Sequence, residues 1–313
     1  MRALVTGGAG FIGAHLCSAL VSSGASVVVL DNLRRGSREA LARCGGSVEL
    51  IEGDVRDFAA VERVMAGADV VFHLAAQSSV ISGDADTNYT LSANVEGTRN
   101  VLEAAAKQSA NRLCRVIFAS SREVYGDPEA VPVAESAALQ PKNTYGISKA
   151  LGEGLCEEFA ENCGGNLRVA ILRLANVYGP GDRDRVLPIF LENALANRPL
   201  RLYGGQQVID FVWIGTVVEM MLRSARLLDG QAGVLGPINI GSGQGTTVAE
   251  LARRVVEATG SRSRIDVERP REIEVSRFVA GLDEAKRVLG LEPPGDPLFA
   301  LDEMIRAEVA QIS

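Results

Sequence analysis

The sequence predicts an α/β protein, a doubly wound parallel sheet followed by a smaller C-terminal α/β lobe, and three observations carry that expectation. Short Val/Leu/Ile-rich runs alternate with longer helix-patterned segments through the first half of the chain, as strands buried on both faces and joined by crossover helices do. Six such runs occur, enough for a doubly wound sheet. The first run opens directly onto a glycine-rich turn, Thr6-Gly7-Gly8-Ala9-Gly10-Phe11-Ile12-Gly13.

The expected strands are Ala3–Thr6, Ser26–Leu30, Val48–Ile51, Val70–His73, Arg115–Ser120 and Leu167–Arg173. Between them, apolar residues recur at helical spacing over Phe11–Ser23, Phe58–Ala66, Thr87–Gln108 and Tyr145–Asn162, with Gly24 and Gly67 placed as C-caps. Beyond about residue 174 the texture changes. Gly-Pro-Gly at 179–181, Gly-Gly at 204–205, Gly-Ser-Gly at 241–243 and Pro-Pro at 293–294 punctuate shorter elements. Helices are expected there over Leu187–Asn197, Thr216–Leu228, Val248–Thr259 and Leu298–Ile312. The division is therefore 1–174 and 175–313, with a soft boundary across which segments can exchange.

Composition narrows the partners. The 313 residues are 47% hydrophobic and 23% charged, an ordinary globular balance, and the formal charge of -7 comes without a clustered basic face. Nucleic-acid and membrane partners are not expected. Five scattered cysteines lack a C-x-x-C pair, and His15 and His73 are the only histidines, so neither a disulfide framework nor a metal site is expected. The chain opens on an apolar strand without a basic, cleavable leader pattern, and no apolar run reaches about 18 residues. These features predict a soluble, reducing, cytoplasmic setting.

The glycine turn follows a strand and opens a helix, so its backbone amides and the helix N-terminus can receive a pyrophosphate. Gly8, Gly10 and Gly13 fit G-x-G-x-x-G, although a tight strand-to-helix turn alone would also use glycine. Asp31 directly follows the second strand, 18 positions beyond Gly13, where a carboxylate bonds the adenosine ribose of NAD and repels the 2′-phosphate of NADP in a Rossmann-type sheet. Arg34 and Arg35 are the counter-indication, unless they are solvated loop residues. A phosphate loop of the Walker kind is excluded, since Gly13 is followed by Ala14-His15.

Tyr145 and Lys149 lie four apart at the start of a helical pattern and share a face. A surface pair would look the same. A free tyrosine titrates near about pH 10, so its use as a base requires a cation such as Lys149 nearby. Ser120-Ser121 ends the fifth strand, at the edge where doubly wound sheets bind ligand. Ser121 can then bond a substrate oxygen or merely cap a turn.

With these pieces in place, the chain resembles the extended short-chain dehydrogenase/reductases of the nucleotide-sugar epimerase, dehydratase and decarboxylase branch, over essentially its whole length. The matching segments are Thr6–Gly13, Asp31-Asn32-Leu33, Gly53-Asp54-Val55, His73–Gln77, Asn94–Thr98, Ser120–Gly126, Tyr145–Lys149, Asn176–Pro180 and Asn239–Gly243. The resemblance implies that Gly7, Gly10, Phe11, Ile12, Gly13, Asp31 and Asn32 hold NAD. It adds Asp54 and Val55 at the adenine, Leu74, Ala75 and Ala76 along the dinucleotide, and Tyr145 and Lys149 at its reactive end. It makes Ser121, Tyr145 and Lys149 a catalytic triad and puts Asn176 on the sugar nucleotide. In that chemistry Tyr145 takes the proton of the sugar 4-hydroxyl as the hydride at carbon 4 passes to NAD, leaving a 4-keto sugar.

Three departures from the family pattern bear on the fate of that 4-keto sugar. Arg122-Glu123 stands where 4,6-dehydratases carry an acid and a base, and arginine is no acid near neutrality. Glu123 keeps open a decarboxylase or unusual dehydratase, or serves as a structural carboxylate; Arg122 either meets substrate or points to solvent. Arg183 and Arg185 flank the expected sugar site, where a guanidinium can grip a uronate, unless they pair with Asp182 and Asp184. Ile209 replaces the arginine that precedes Asp-Phe/Tyr in the family, leaving Arg271 as the phosphate-binding arginine. The resulting expectation is an NAD-dependent nucleotide-sugar 4-epimerase acting on a UDP-hexose or UDP-hexuronic acid. A decarboxylase or dehydratase using Glu123 as base is the enzymatic alternative, and a non-catalytic NAD-binding module the other class. Apolar stripes on Thr87–Gln108 (Val95, Val101, Leu102) and Tyr145–Asn162 (Ile147, Leu151, Leu155, Phe159) predict a homodimer, because relatives pair these helices in a four-helix bundle.

Overall fold

The computed structural model describes residues 1–45, 48–163, 165–183, 185–269 and 275–312. Twelve strands occur among the described residues: β1 Arg2–Thr6, β2 Ser26–Asp31, β3 Val48–Glu52, β4 Val70–His73, β5 Cys114–Ser121, β6 Leu167–Leu174, β7 Asn176–Tyr178, β8 Leu200–Tyr203, β9 Val208–Trp213, β10 Gly233–Ile240, β11 Gly245–Thr247 and β12 Ile265–Glu268. Contacts divide the chain into two interleaved units. One holds Met1–Gly126, Ala138–Leu174 and Val218–Ile238, and the other Asp127–Ala137, Ala175–Val217 and Asn239–Ser313.

The first unit is a Rossmann-like sheet of seven strands in the order β10-β6-β5-β4-β1-β2-β3. From β1 to β6 every neighbouring pair runs parallel. The order reverses beside β1, so the first βα turn lies at the topological switch point, where such sheets leave a crevice. The six strands expected from the sequence are all present, and β10 adds a seventh. Its apolar strands pack against helices Phe58–Met65, Gly97–Ser109 and Thr144–Asn162, with Val71, Phe118 and Ile171 meeting Val64, Val101 and Cys156 in one core.

Two expectations change. The helix Ile214–Leu227, expected with the C-terminal lobe, enters the first unit from Val218 onward. Its C-terminal carbonyls are taken by guanidinium groups from the sheet: Arg115 reaches Ala225 O (3.2 Å) and Arg168 reaches Leu228 O (2.6 Å). Cations at a helix C-terminus satisfy both orphan carbonyls and the helix dipole. The long helix expected over Thr87–Gln108 is interrupted by a π turn at Ser92–Glu96. Such turns carry an extra residue and recur at functional positions.

That π turn directs Asn94 inward onto a chain of buried polar groups. Thr98 donates to Asn94 O (2.6 Å) with its single hydroxyl proton, so it accepts from His73 Nε2 (2.9 Å). A neutral imidazole bearing its proton on Nε2 accepts at Nδ1, where Thr6 Oγ1 lies 2.7 Å away. His73 is held neutral: burial, and then the positive charge of Lys149, push its pKa down to about 3.

The second unit has a three-stranded sheet, β11-β9-β7, and a parallel pair, β12-β8. β9 runs parallel to β7 and antiparallel to β11. Its anchor is Asp210, fully buried on β9. Oδ1 accepts from Ser242 N and Oγ (both 2.7 Å), and Oδ2 from Gly243 N (3.0 Å) and Ala280 N (2.9 Å). Gly241 is glycine because a Cβ there would lie 2.7 Å from both Asp210 Oδ2 and Ala280 Cβ. Ile209, in place of the family's arginine, packs into this unit's apolar core.

Replacing Asp210 by Asn turns an NH2 toward backbone donors, and chemical denaturation is expected to show a loss of about 3 kcal/mol or more. Because the folded pKa of His73 lies below its ordinary 6.5, its contribution is complete above about pH 6.5 and is lost as pH falls toward 3. The wild type should lose up to about 1.4 kcal/mol per pH unit more than His73→Gln across that window, read by denaturation at a series of pH values.

Candidate active site

The nucleotide turn is shaped by close backbone approach. Gly7, at φ +72°, is the turn residue in the left-handed region, and a Cβ on it would lie 2.7 Å from Ala75 N and 2.8 Å from the Leu74 carbonyl carbon. A Cβ on Gly13 would overlap Gly7 O, so the helix Phe11–Ser22 sits directly on the turn. Gly8, which the G-x-G-x-x-G fit singled out, instead packs on Val29. The spacing that matters is thus Gly7, Gly10 and Gly13. Gly10 is the N-cap without a side-chain cap, and the first helical turn, with Phe11 and Ile12, carries no acid. A helix N-terminus with no side-chain cap and no acid in its first turn suits an anion.

Leu74 N extends the ladder to Thr6 O (3.0 Å), and Ala75 N points to Thr6 Oγ1 (3.4 Å), which holds the Leu74–Ala76 segment beside the turn. Asp31 is buried, accepting from Ala9 N (2.9 Å) and Leu33 N (2.8 Å). Burial raises its carboxyl above the usual range, and the two amides only partly offset that. A carboxylate has roughly four acceptor positions, so Asp31 retains capacity for ribose hydroxyls. Asn32 is exposed and donates to Asp54 Oδ2 (3.0 Å). Against its partial burial, hydrogen bonds from the Arg56 side chain and backbone and from Asn32 bring Asp54 down to about 2. The side chain of Val55 belongs to the apolar core, where it touches the position a Cβ of Gly97 would need. A glycine cradle, uncapped amides and a strand-end carboxylate together fit a dinucleotide.

The helix Thr144–Asn162 carries Tyr145 and Lys149. Asn143 caps it through Gly146 N (2.8 Å), placing Tyr145 in its first turn and Lys149 in the next. Lys149 is buried and donates to Ala119 O on β5 (2.8 Å), with its ammonium 5.9 Å from the Tyr145 ring centroid. Burial lowers its pKa to about 8, against the charges of Cys156 and Glu153, which act to raise it. Ser121 caps the short 3-10 turn Arg122–Tyr125 by accepting from Glu123 N (3.2 Å), so its own proton remains to be donated. Behind these groups Glu153 accepts from Ser120 Oγ and forms a buried fork with Arg173.

Glu123 is buried and committed. Oε1 meets Arg122 Nη2 at 2.8 Å and Oε2 accepts from Asn143 Nδ2 at 2.8 Å. A Cβ on Gly146 would lie 2.5 Å from Glu123 O, so the Glu123 turn and the Tyr145 helix are in direct contact. In the second unit, Asn176 on β7 has a buried Oδ1 with no partner among the described residues. Arg185 donates to Val177 O (3.1 Å) and faces Asp182 (3.4 Å), whereas Arg183 is exposed. Arg271 lies outside the described residues.

Asn94 opens one of the matching segments but receives no role from the sequence, and Asn143 and Tyr89 carry no motif that singles them out. Asn143 had a signal all the same, an Asn preceding a helical pattern. Asn94 clamps Gln77 in both directions, with Gln77 N to Oδ1 at 2.7 Å and Nδ2 to Gln77 O at 3.1 Å, and also donates to Ser148 Oγ (2.8 Å). Only the fold brings Asn94 and Ser148, 54 positions apart, into contact. Among the described residues, no group of three His, Cys, Asp or Glu side chains is arranged for a metal, and no helix is long and apolar enough to cross a membrane.

Comparison with known proteins agrees with this architecture. The chain is 34% identical over 300 residues to a putative UDP-glucose 4-epimerase of Methanocaldococcus jannaschii, covering 94% of this chain and 93% of that protein. It is 33% identical over 318 residues to UDP-glucuronic acid decarboxylase 4 of Arabidopsis thaliana, covering 96% and 68%. The structure matches the UDP-glucose 4-epimerase of Thermotoga maritima, solved with UDP-glucose, with a TM-score of 0.91 at 32% identity over 100% of both chains. Residues 3–241 match the family model, and with the glycine cradle, the strand-end carboxylate and the Tyr145–Lys149 helix they show that the chain belongs to the NAD dependent epimerase/dehydratase family.

Proposed function

We propose that the protein is a nucleotide-sugar 4-epimerase that takes a UDP-hexose or UDP-hexuronic acid and retains NAD through its cycle. The observation that carries this reading is the state of Glu123. Dehydration needs a free base beyond the tyrosine, and here both oxygens of the Glu123 carboxylate are engaged by Arg122 and Asn143; decarboxylation needs instead a uronic acid as substrate. Epimerisation needs no carboxylate base beside Ser121, Tyr145 and Lys149.

Bound NAD supplies the acceptor and donor for the hydride at carbon 4. Tyr145 takes the proton of the 4-hydroxyl and returns it to the same oxygen after the 4-keto sugar has turned over, so that carbon 4 is inverted. Ser121 donates its remaining proton to the same oxygen, holding the sugar for both half-reactions. Lys149, fixed by Ala119 O, places a cation beside the phenol and favours its ionised form. The Arg122–Glu123–Asn143 cluster fixes the start of the helix that carries Tyr145. Asn176 offers its unsatisfied carbonyl oxygen to a hydroxyl of the sugar nucleotide. The name of the Thermotoga relative supports a UDP-hexose. Decarboxylation of a UDP-uronic acid is the second reading, favoured by the similarity to the Arabidopsis decarboxylase and by the presence of Glu123 itself.

We further propose a homodimer through the helix Thr144–Asn162. Ile147 and Leu151, four apart on it, are 43% and 51% exposed. Val101 and Leu102, part of the stripe expected from the sequence, are fully buried against the sheet and take no part.

Incubation with UDP-glucose and with UDP-glucuronic acid, followed by NMR of the sugars, is expected to yield a 4-inverted product from at least one; loss of carbon dioxide or water would establish a lyase instead. Tyr145→Phe is expected to lower turnover by at least about a hundredfold while NAD stays bound. Light scattering should give a dimer that Leu151→Glu converts to a monomer.

A further inference from the structure

We propose that Tyr89, gripped between Arg34 and Arg56, is a clasp that retains the adenosine end of the dinucleotide and rejects a 2′-phosphate; the proposal rests on the NAD reading above. Three segments of the first unit meet here: residues 32–34 beyond β2, residues 54–56 beyond β3, and residues 86–89. The guanidinium carbon of Arg34 lies 3.7 Å from the centroid of the Tyr89 ring and that of Arg56 lies 4.8 Å from it. Asn32 donates to the Tyr89 hydroxyl (3.2 Å) and to Asp54 Oδ2 (3.0 Å), while Arg56 grips Asp54 through Nε (2.9 Å) and Nη2 (2.8 Å). Asp86 closes the set, accepting from Tyr89 N (3.1 Å) and facing Arg34 Nη2 at 3.8 Å.

The placement gives the cluster a purpose beyond local packing. It stands at the carboxyl ends of β2 and β3, where a doubly wound sheet receives its nucleotide, and it ties both strand ends to Tyr89, 57 positions beyond Asn32. Arg34, three residues beyond Asp31, is a guanidinium that NADP would need for its 2′-phosphate. Held on an aromatic face and beside a carboxylate, it is withheld from that phosphate, and Asp31 adds repulsion. The side chains of Arg34 and Asp86 are 49% and 50% exposed, so the clasp lies at the water-facing edge, across the route by which the adenosine leaves.

The test is binding of NAD and NADP to the full chain, as dissociation constants by calorimetry and NAD release rates by fluorescence. Tyr89→Ala is expected to weaken NAD and to narrow its preference over NADP, each about tenfold, the worth of two cation–π contacts. Tyr89→Phe should stay within about threefold of wild type. Arg34→Met, which leaves the 86–89 segment intact, should speed NAD release without gaining affinity for NADP. Unchanged NAD affinity and release in both Tyr89→Ala and Arg34→Met would overturn the clasp while the NAD reading stands. A wild type that binds NADP as tightly as NAD, or binds neither, would overturn both.

Discussion

Two proton-ordered runs of buried hydrogen bonds, meeting at Asn94, tie the nucleotide turn to the helix of Tyr145. One runs from Thr6 through His73 and Thr98 to the main-chain O of Asn94, and the other from Asn94 Nδ2 through Ser148 Oγ to Tyr145 O. Each hydroxyl has one proton, so donating at one end obliges it to accept at the other, and each run admits one direction only. In a low-dielectric interior an unsatisfied member is costly. The end of β1, the end of β4, the π turn and the helix Thr144–Asn162 therefore keep one mutual register.

Buried carboxylates play a comparable part elsewhere. Asp31 joins the glycine turn to the end of β2, Glu153 joins the ends of β5 and β6 to the helix Thr144–Asn162, and Asp210 gathers two loops of the second unit. An ionised carboxylate accepts several donors at once, which lets one side chain organise a loop with no regular ladder of its own. The cost is desolvation, visible in the raised pKa of Asp31 and of Asp210.

The same constraint separates the possible chemistries. On the proposed reading a 4-keto sugar forms first, and of its possible fates only elimination of water calls for a second base. Glu123 has the right chemical type, yet its two oxygens hold the turn that carries it to the cap of the Tyr145 helix. Arg122, no acid itself, neutralises it. On that reading the cluster holds the start of the Tyr145 helix, and its carboxylate is not free to act as a base.

The sheet was legible in the residues alone, because strands buried on both faces and their crossover helices are written as local apolar periods. So were the positions of the glycine turn, of Asp31 and of the Tyr145–Lys149 pair, since turn geometry and four-residue helical spacing are local. Long-range packing decided the rest. It passed the left-handed turn position to Gly7, turned Asn94 inward through a π turn, drew residues 218–238 into the sheet unit, and consumed Glu123 in a cap. It also drew Val101 and Leu102 into the core, although their spacing matched an outer stripe. Each outcome depends on which distant donor, acceptor or apolar face a residue meets, and that partner is chosen by the packing of strands, not by the residue's neighbours in the chain.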